Sequence, residues 1–355
     1  MSVSTAPAHS QVKNLYQKPL FFITGNSRSG TTMMMRIMNN HPEVHSINEP
    51  HFFEKMWSPG DEGKVIDRDT AAALYAKLFT GQRDGFFEPV KMHRHKYEAE
   101  IAQRLALYSN PPTRQDVYTD FVHYEAGQSG KKIPCEKTPQ NIFYIEEILR
   151  LYPEARIINM VRDPRGVMLS QKKKWKRKYL GADFLTSREM LRLRINYHPI
   201  TISRLWNAAI AAGNRWENHP RVFMLRFEDL VKAPEETCTK VCAFLGIHYD
   251  PAMLLVPHAG SSTEADNSSE LGIRKPKSRS WKEKGLNDAE VHLCQDICRQ
   301  GMEKYGYKPV EVKPGTALVG AYYAAFPFKV GLALLFNLRR MRSIADTLKR
   351  RMGRK

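Results

Sequence analysis

Acidic residues are what this 355-residue chain is short of. Asp and Glu number 37 against 55 Lys and Arg, a formal net charge of +18. So basic a polypeptide is expected to meet polyanions, phosphate-rich ligands or an anionic membrane surface. Cysteine is scarce as well. Five residues, an odd number in a long chain, argue against a disulfide framework and for a reducing compartment. Residues 1–17 lack the apolar core that follows the basic start of a secretory leader, which points to a cytoplasmic location. There is no internal repeat. No zinc-finger, homeodomain or RNP pattern accompanies the charge, so a nucleic-acid partner is not expected. With 42% hydrophobic and 26% charged residues, the chain has an ordinary globular composition.

Short apolar runs alternate with helical periodicity. Pro19 to Thr24, ending at Gly25, reads as a buried parallel strand. Further strands are expected at 44–47, 155–161 and 222–225. Helices are expected at 33–40, 141–151, 166–178, 200–216, 235–245 and 287–305. The stretch 261–271 is polar and reads as a mobile loop. This alternation predicts an α/β fold: a P-loop-like parallel sheet flanked by helices, with a helical insertion over 60–130 and a C-terminal helical extension. The expected organisation is a flexible arm (1–17), one α/β domain (18–312) and a basic extension (313–355).

A strand, then Gly25-Asn26-Ser27-Arg28-Ser29-Gly30-Thr31-Thr32, then a helix, is the layout of a phosphate cradle. Glycines let backbone N–H groups turn inward, and the helix N-terminus adds partial positive charge. The spacing matches a Walker loop, but Thr31 stands where its lysine belongs. That argues against an ordinary ATPase or kinase, because the lysine serves the far phosphates of a triphosphate. The competing reading is a small-residue turn with no ligand.

Ser27 to Thr32 resembles the loop that binds the 5′-phosphosulfate of PAPS (3′-phosphoadenosine 5′-phosphosulfate) in sulfotransferases of the carbohydrate and tyrosylprotein types. A second family motif places an Arg and a Ser eight residues apart, on a strand end and the next helix, to bind the 3′-phosphate. Arg162 and Ser170 match it, with Pro164 opening the helix. Taken alone, Arg162 could instead pair with Asp163. Cys135-Glu136-Lys137-Thr138-Pro139 resembles a carbohydrate sulfotransferase segment, and Arg226 to Leu230 a strand-end motif with Phe227 in place of the usual tyrosine. Arg274 to Lys282 looks like the late basic loop, which would bring Arg274 and Lys275 to the nucleotide. The resemblance covers about 20–310, with the helical insertion over 60–130 expected on the acceptor side.

It implies transfer of a sulfuryl group from PAPS to a hydroxyl or amine of a carbohydrate, glycolipid or lipid, with PAP released and no metal required. Sulfuryl transfer is similar to phosphoryl transfer, with charge on the equatorial oxygens. Arg28 and the loop amides would stabilise that charge. Asn48-Glu49-Pro50-His51-Phe52-Phe53 resembles the segment holding the family's catalytic glutamate, making Glu49 the candidate base and His51 the alternative. Pro50 is expected to keep Glu49 extended, and Phe52 and Phe53 to raise its pKa by desolvation. Lys137 would neutralise the leaving phosphate or hold the acceptor. Two other readings are a P-loop small-molecule kinase and a non-catalytic membrane or nucleic-acid adaptor on the same fold.

Three features lie outside this scheme. The run 172–178 carries six cations in seven residues and reads either as an anion-facing element or as a solvated helix face. Cys238/Cys242 and Cys294/Cys298 share helical faces, but they continue apolar stripes and so read as core rather than as a zinc site. Residues 317–338 hold one charge, and 336–355 hold eight Lys or Arg against one Asp. This reads as an amphipathic helix on an anionic membrane surface, peripheral on the cytoplasmic face. The alternatives are a spanning helix, or a hairpin packed on the protein or on a second subunit of a homodimer.

Overall fold

The computed structural model describes residues 8–85, 95–274, 280–283 and 285–338. A five-stranded parallel sheet organises them, in the order β2-β3-β1-β4-β5. The strands are β1 (Leu20–Gly25), β2 (Val44–Asn48), β3 (Ile133–Lys137), β4 (Ala155–Val161) and β5 (Val222–Arg226). Every residue of β1 is buried, which is why it reads as a continuous apolar run. Alternate side chains serve opposite faces. Leu20 and Phe22 join a core with the helices Arg68–Arg83 and Arg114–Gln128. Phe21 and Ile23 join one with the helices Thr31–Asn40 and Pro234–Leu245. A third cluster, around Trp206 and Trp281, holds the helix Pro164–Lys172 in place. The fold class is the one expected.

Some local expectations do not hold. Residues 8–15, expected within a flexible arm, form a helix with Val12 buried. Tyr16 fixes it to the body, its ring stacked on Tyr152 at 5.5 Å and its hydroxyl donating to Asp116. Residues 1–7 lie outside the described part. Strand β3 was not expected, because its polar end, Glu136 and Lys137, hides a buried strand. Both side chains are nonetheless buried; Glu136 accepts from Tyr118 Oη and Asn141 Nδ2, as a buried carboxyl requires. The polar stretch expected as a mobile loop ends in a strand, Asn267–Leu271, paired antiparallel with Pro257–His258.

The helix expected over 166–178 stops at Lys172 and continues as a tighter 3-10 turn, Lys174–Leu180. The run is not a solvated face. Lys172 pairs with Glu290 at 2.7 Å, and Arg177 forks onto Asp266 at 2.7 and 2.8 Å. The cysteine pairs fall in separate core clusters, 238/242 in one and 294/298 in another, all buried and free. The C-terminal helix, Thr316–Asn337, packs along the body through Phe326 and Val330 against Ile200 and Leu293. Residues 339–355, where the basic stripe was expected, lie outside the described part.

Candidate active site

The site forms at the carboxyl ends of β1, β2, β3 and β4, where open α/β sheets place their ligands. Gly30 lies between β1 and the helix Thr31–Asn40 at φ +94°, and a Cβ there would overlap the Phe227 ring. Arg28, not a glycine, also takes a positive φ of 74°, a strained choice that the surrounding contacts must hold. Those contacts are specific. Arg28 Nε donates to Ser170 Oγ at 2.8 Å, and Nη2 donates to Gly260 O and Ser262 Oγ at 3.0 and 2.8 Å. Arg162 Nη1 donates to the carbonyl of Arg28 at 3.1 Å. The two motifs, more than 130 residues apart in sequence, are therefore one cluster.

Each element of that cluster has a local cause. Pro164 opens the second helix, and Asp163 caps it by accepting from Arg165 N–H. The Asp163 carboxylate also pairs with the Arg165 guanidinium at 2.7 Å, so it is Arg165, not Arg162, that takes the neighbouring acid. Arg162 instead stacks over Phe227, 4.2 Å from the ring centroid, and Trp206 Nε1 donates to its carbonyl at 2.9 Å. The cations crowd one another. Burial, then the charges of Arg162 and Arg177, bring Arg28 down to about 10. Such a cluster is a standing demand for an anion.

The phosphate loop fits the same demand. Ser29 and Thr31 are buried, and the Ser29 hydroxyl has no partner among the described residues. Ser27 and Thr32 are half-buried on the same loop and first helical turn. These groups suit an anionic nucleotide end.

Beside this cluster lies the candidate acid–base group. The backbone N–H of Glu49 donates to Lys137 O at 2.8 Å, extending the β2–β3 ladder by one step. Its carboxylate meets Lys137 Nζ at 2.5 Å and lies 3.6 Å from His51 Nε2. The other ring nitrogen of His51 is 2.9 Å from Glu54. Two expectations for Glu49 fail. It is not extended: its φ is +50°, and that of His51 is +54°. Nor is its pKa raised. Burial acts upward, but the His51 imidazole and the Lys137 ammonium outweigh it and hold the carboxyl well below the usual range. Phe52 and Phe53 face the core instead, with Phe52 stacked on Tyr118 at 4.2 Å. For His51 burial acts downward, but its two carboxylate neighbours prevail and raise it.

Arg274 is not brought to this centre; it is held by Glu270 and Glu264 beyond the hairpin. Lys275 lies outside the described residues. In their place the structure brings in residues not singled out as site members. Lys174 stands within electrostatic reach of Arg28, Glu49, Arg192 and Lys137, and burial, then Arg28, bring it down to about 8. Ser262 and Arg177 complete the wall around Arg28. The density of the run 172–178 was the only sequence signal for Lys174 and Arg177.

A family model described as the sulfotransferase family matches residues 19–251, and the chain belongs to that family. The resemblance read from the anion motifs is borne out at this level. Among relatives, the nodulation protein NoeE of Sinorhizobium fredii is 26% identical over 243 residues, 65% of this chain and 50% of its own. A putative protein-tyrosine sulfotransferase of Caenorhabditis briggsae is 25% identical over 239 residues, 66% of this chain and 68% of its own. Carbohydrate sulfotransferase 3 of Homo sapiens is 29% identical over 168 residues, 44% of this chain and 34% of its own. The match thus spans only half the length of the nodulation protein. Among solved structures, the sulfotransferase domain from the curacin biosynthetic pathway gives a TM-score of 0.49 at 18% identity, covering 83% of this chain and all of that domain.

Proposed function

We propose that the chain transfers a sulfuryl group from PAPS to a hydroxyl or amine of a carbohydrate, glycolipid or lipid acceptor. The observation that carries this reading is the 2.8 Å bond from Arg28 to Ser170, which joins the phosphate loop to the second anion motif in one cationic centre. PAPS, when bound, supplies the activated sulfuryl group. Ser27, Ser29, Gly30, Thr31 and Thr32 would hold its 5′ end, and Arg162 and Ser170 its 3′-phosphate. Arg28 faces both sides and would stabilise negative charge on the transferred group.

Glu49 is the residue positioned to accept the acceptor's proton. In the structure it is a weak base because His51 and Lys137 hold it. An anion beside Lys137 competes for that ammonium, and each step of release raises the proton affinity of Glu49. Lys137 therefore links loading of the anionic site to the strength of the base. His51, bracketed by Glu49 and Glu54, fixes the carboxylate and can take up part of its proton load.

Calorimetry with PAP and ADP tests the assignment. PAP is expected to bind far more tightly, because only PAP offers a 3′-phosphate to Arg162 and Ser170. Arg162→Ala should remove ~1.5–3 kcal/mol of that preference, the range for a hydrogen bond to a charged group. Equal affinities for PAP and ADP in the wild-type protein would dismiss PAPS as the donor.

A further inference from the structure

The C-terminal helix has two faces. Phe326, Val330, Ala333 and Asn337 are buried on one, at the i, i+4, i+7, i+11 spacing of a packed stripe. On the opposite face, Phe328 is 81% exposed and Leu335 63%, with Leu332 and Ala324 also exposed. A helix of this length and composition can cross a bilayer, but one whose inner face is pinned to the protein lies along it instead. Asn337 fixes that inner face, accepting from Arg192 Nη1 at 2.9 Å and donating to Asn196 Oδ1 at 2.8 Å.

Charge says what covers the outer face. No Asp or Glu occurs from residue 312 to 345, while Arg339, Arg340 and Arg342 follow the helix directly in sequence. Two copies of so basic a segment would repel each other. An anionic lipid surface complements the charge and accepts the apolar side chains. Through Asn337 the inner face of the helix is also tied to an element near the reaction centre. Arg192 belongs to the helix Ser187–Ile195, where Leu191 is 50% exposed, and the nearby Phe184 is 72% exposed. The same helix packs on the turn Lys174–Leu180, with the Arg194 guanidinium 5.6 Å from the Trp175 ring centroid, and Arg192 lies within electrostatic reach of Lys174.

We infer that the outer face of Thr316–Asn337, together with Leu191 and Phe184, docks on an anionic bilayer and turns the Lys174 side of the reaction centre toward it. The acceptor class this fits is an amphiphile whose polar head is presented from the membrane. Docking stands on the surface alone; the acceptor class rests on the sulfotransferase reading.

The test uses full-length protein and vesicles of phosphatidylcholine with about a third phosphatidylserine, a composition that carries the anionic surface potential. Wild-type protein should sediment with these vesicles, less so at high salt and with pure phosphatidylcholine. The double variant Phe328→Ser/Leu335→Ser removes two exposed side chains and should partition about 100-fold more weakly. Calorimetry with PAP, without vesicles, should be the same for both proteins; its loss in the wild type would count against the sulfotransferase reading and leave docking untouched. Because all five cysteines are buried, a polarity-sensitive dye can report single new cysteines. Phe328→Cys and Leu191→Cys should shift to the blue on vesicles, and Glu154→Cys, at the amino edge of the sheet, should not. Failure of the wild type to sediment, or equal sedimentation of the double variant, overturns docking. So does a dimer in solution that the double variant converts to monomer. A shift at 328 without one at 191 overturns the orientation and with it the acceptor class.

Discussion

Glu49 shows how far a residue can be read from its neighbours in sequence and where that stops. Its place after β2, beside a lysine on the adjoining strand, is what supports the proposal that it takes the acceptor's proton. The chain around it suggested a desolvated, elevated carboxyl; the fold supplies Lys137 at 2.5 Å and His51 instead, and the sign reverses. Pairing across 88 residues has no local signature. The same is true of Lys174, whose importance comes from where a 3-10 turn aims it. Arg28, Arg162 and Ser170, by contrast, were legible because short motifs fix both their backbone and their spacing. Glu49→Gln keeps the shape and removes the proposed base. Turnover is expected to fall by ~10²–10⁴, the usual range for lost acid–base catalysis, with PAP affinity nearly unchanged. Single-turnover kinetics beside calorimetry will check this; wild-type turnover in the variant would move the base to His51.

Among the elements, those with strong local rules matched expectation. β1 is a solid apolar run between a proline and a glycine, and the helix after the phosphate loop starts where the glycine permits. Elements set by tertiary partners did not. β3 ends in a glutamate and a lysine that can be buried there because Tyr118 and Asn141 donate to one carboxylate oxygen of the first and Glu49 pairs with the second. The stretch 259–266 is polar yet ordered, because Arg28, Arg36 and Arg177 all donate into it. The phosphate loop itself depends on one backbone feature. Gly30 combines φ +94° with contact against Phe227, and Phe227 supports Arg162 from below. Gly30→Ala should therefore strain the turn and push Phe227 out from under Arg162. The expected outcome is a loss of PAP affinity larger than the loss of thermal stability. A variant that melts earlier but binds PAP normally would show that the loop is held by packing alone.

At the scale of the whole molecule, the C-terminal helix is joined to the body by a small apolar cluster and by Asn337, and a histidine lies against that cluster. His198 is 4% exposed, its ring 5.6 Å from that of Phe326 and 5.8 Å from that of Tyr322. Burial, then the charge of Lys329, depresses it to about 4. The unfolded chain binds this proton near pH 6.5, the packed structure only near 4. Between those values the open state gains protons that the packed state refuses, so stability falls as pH drops from 6.5 toward 4. The whole effect is about 3 kcal/mol, with about 2 kcal/mol gone at pH 5. Above pH 6.5 the group contributes no pH dependence. His45 and His123, also depressed to about 4 by burial, act in the same direction, so the diagnostic quantity is a difference. The melting temperature of the wild type should fall between pH 7.5 and pH 5 by more than that of His198→Phe, which keeps the ring and loses the proton site. Identical falls would mean that the helix does not feel His198. A larger fall in the wild type would show that His198 couples the stability of the packed structure to pH.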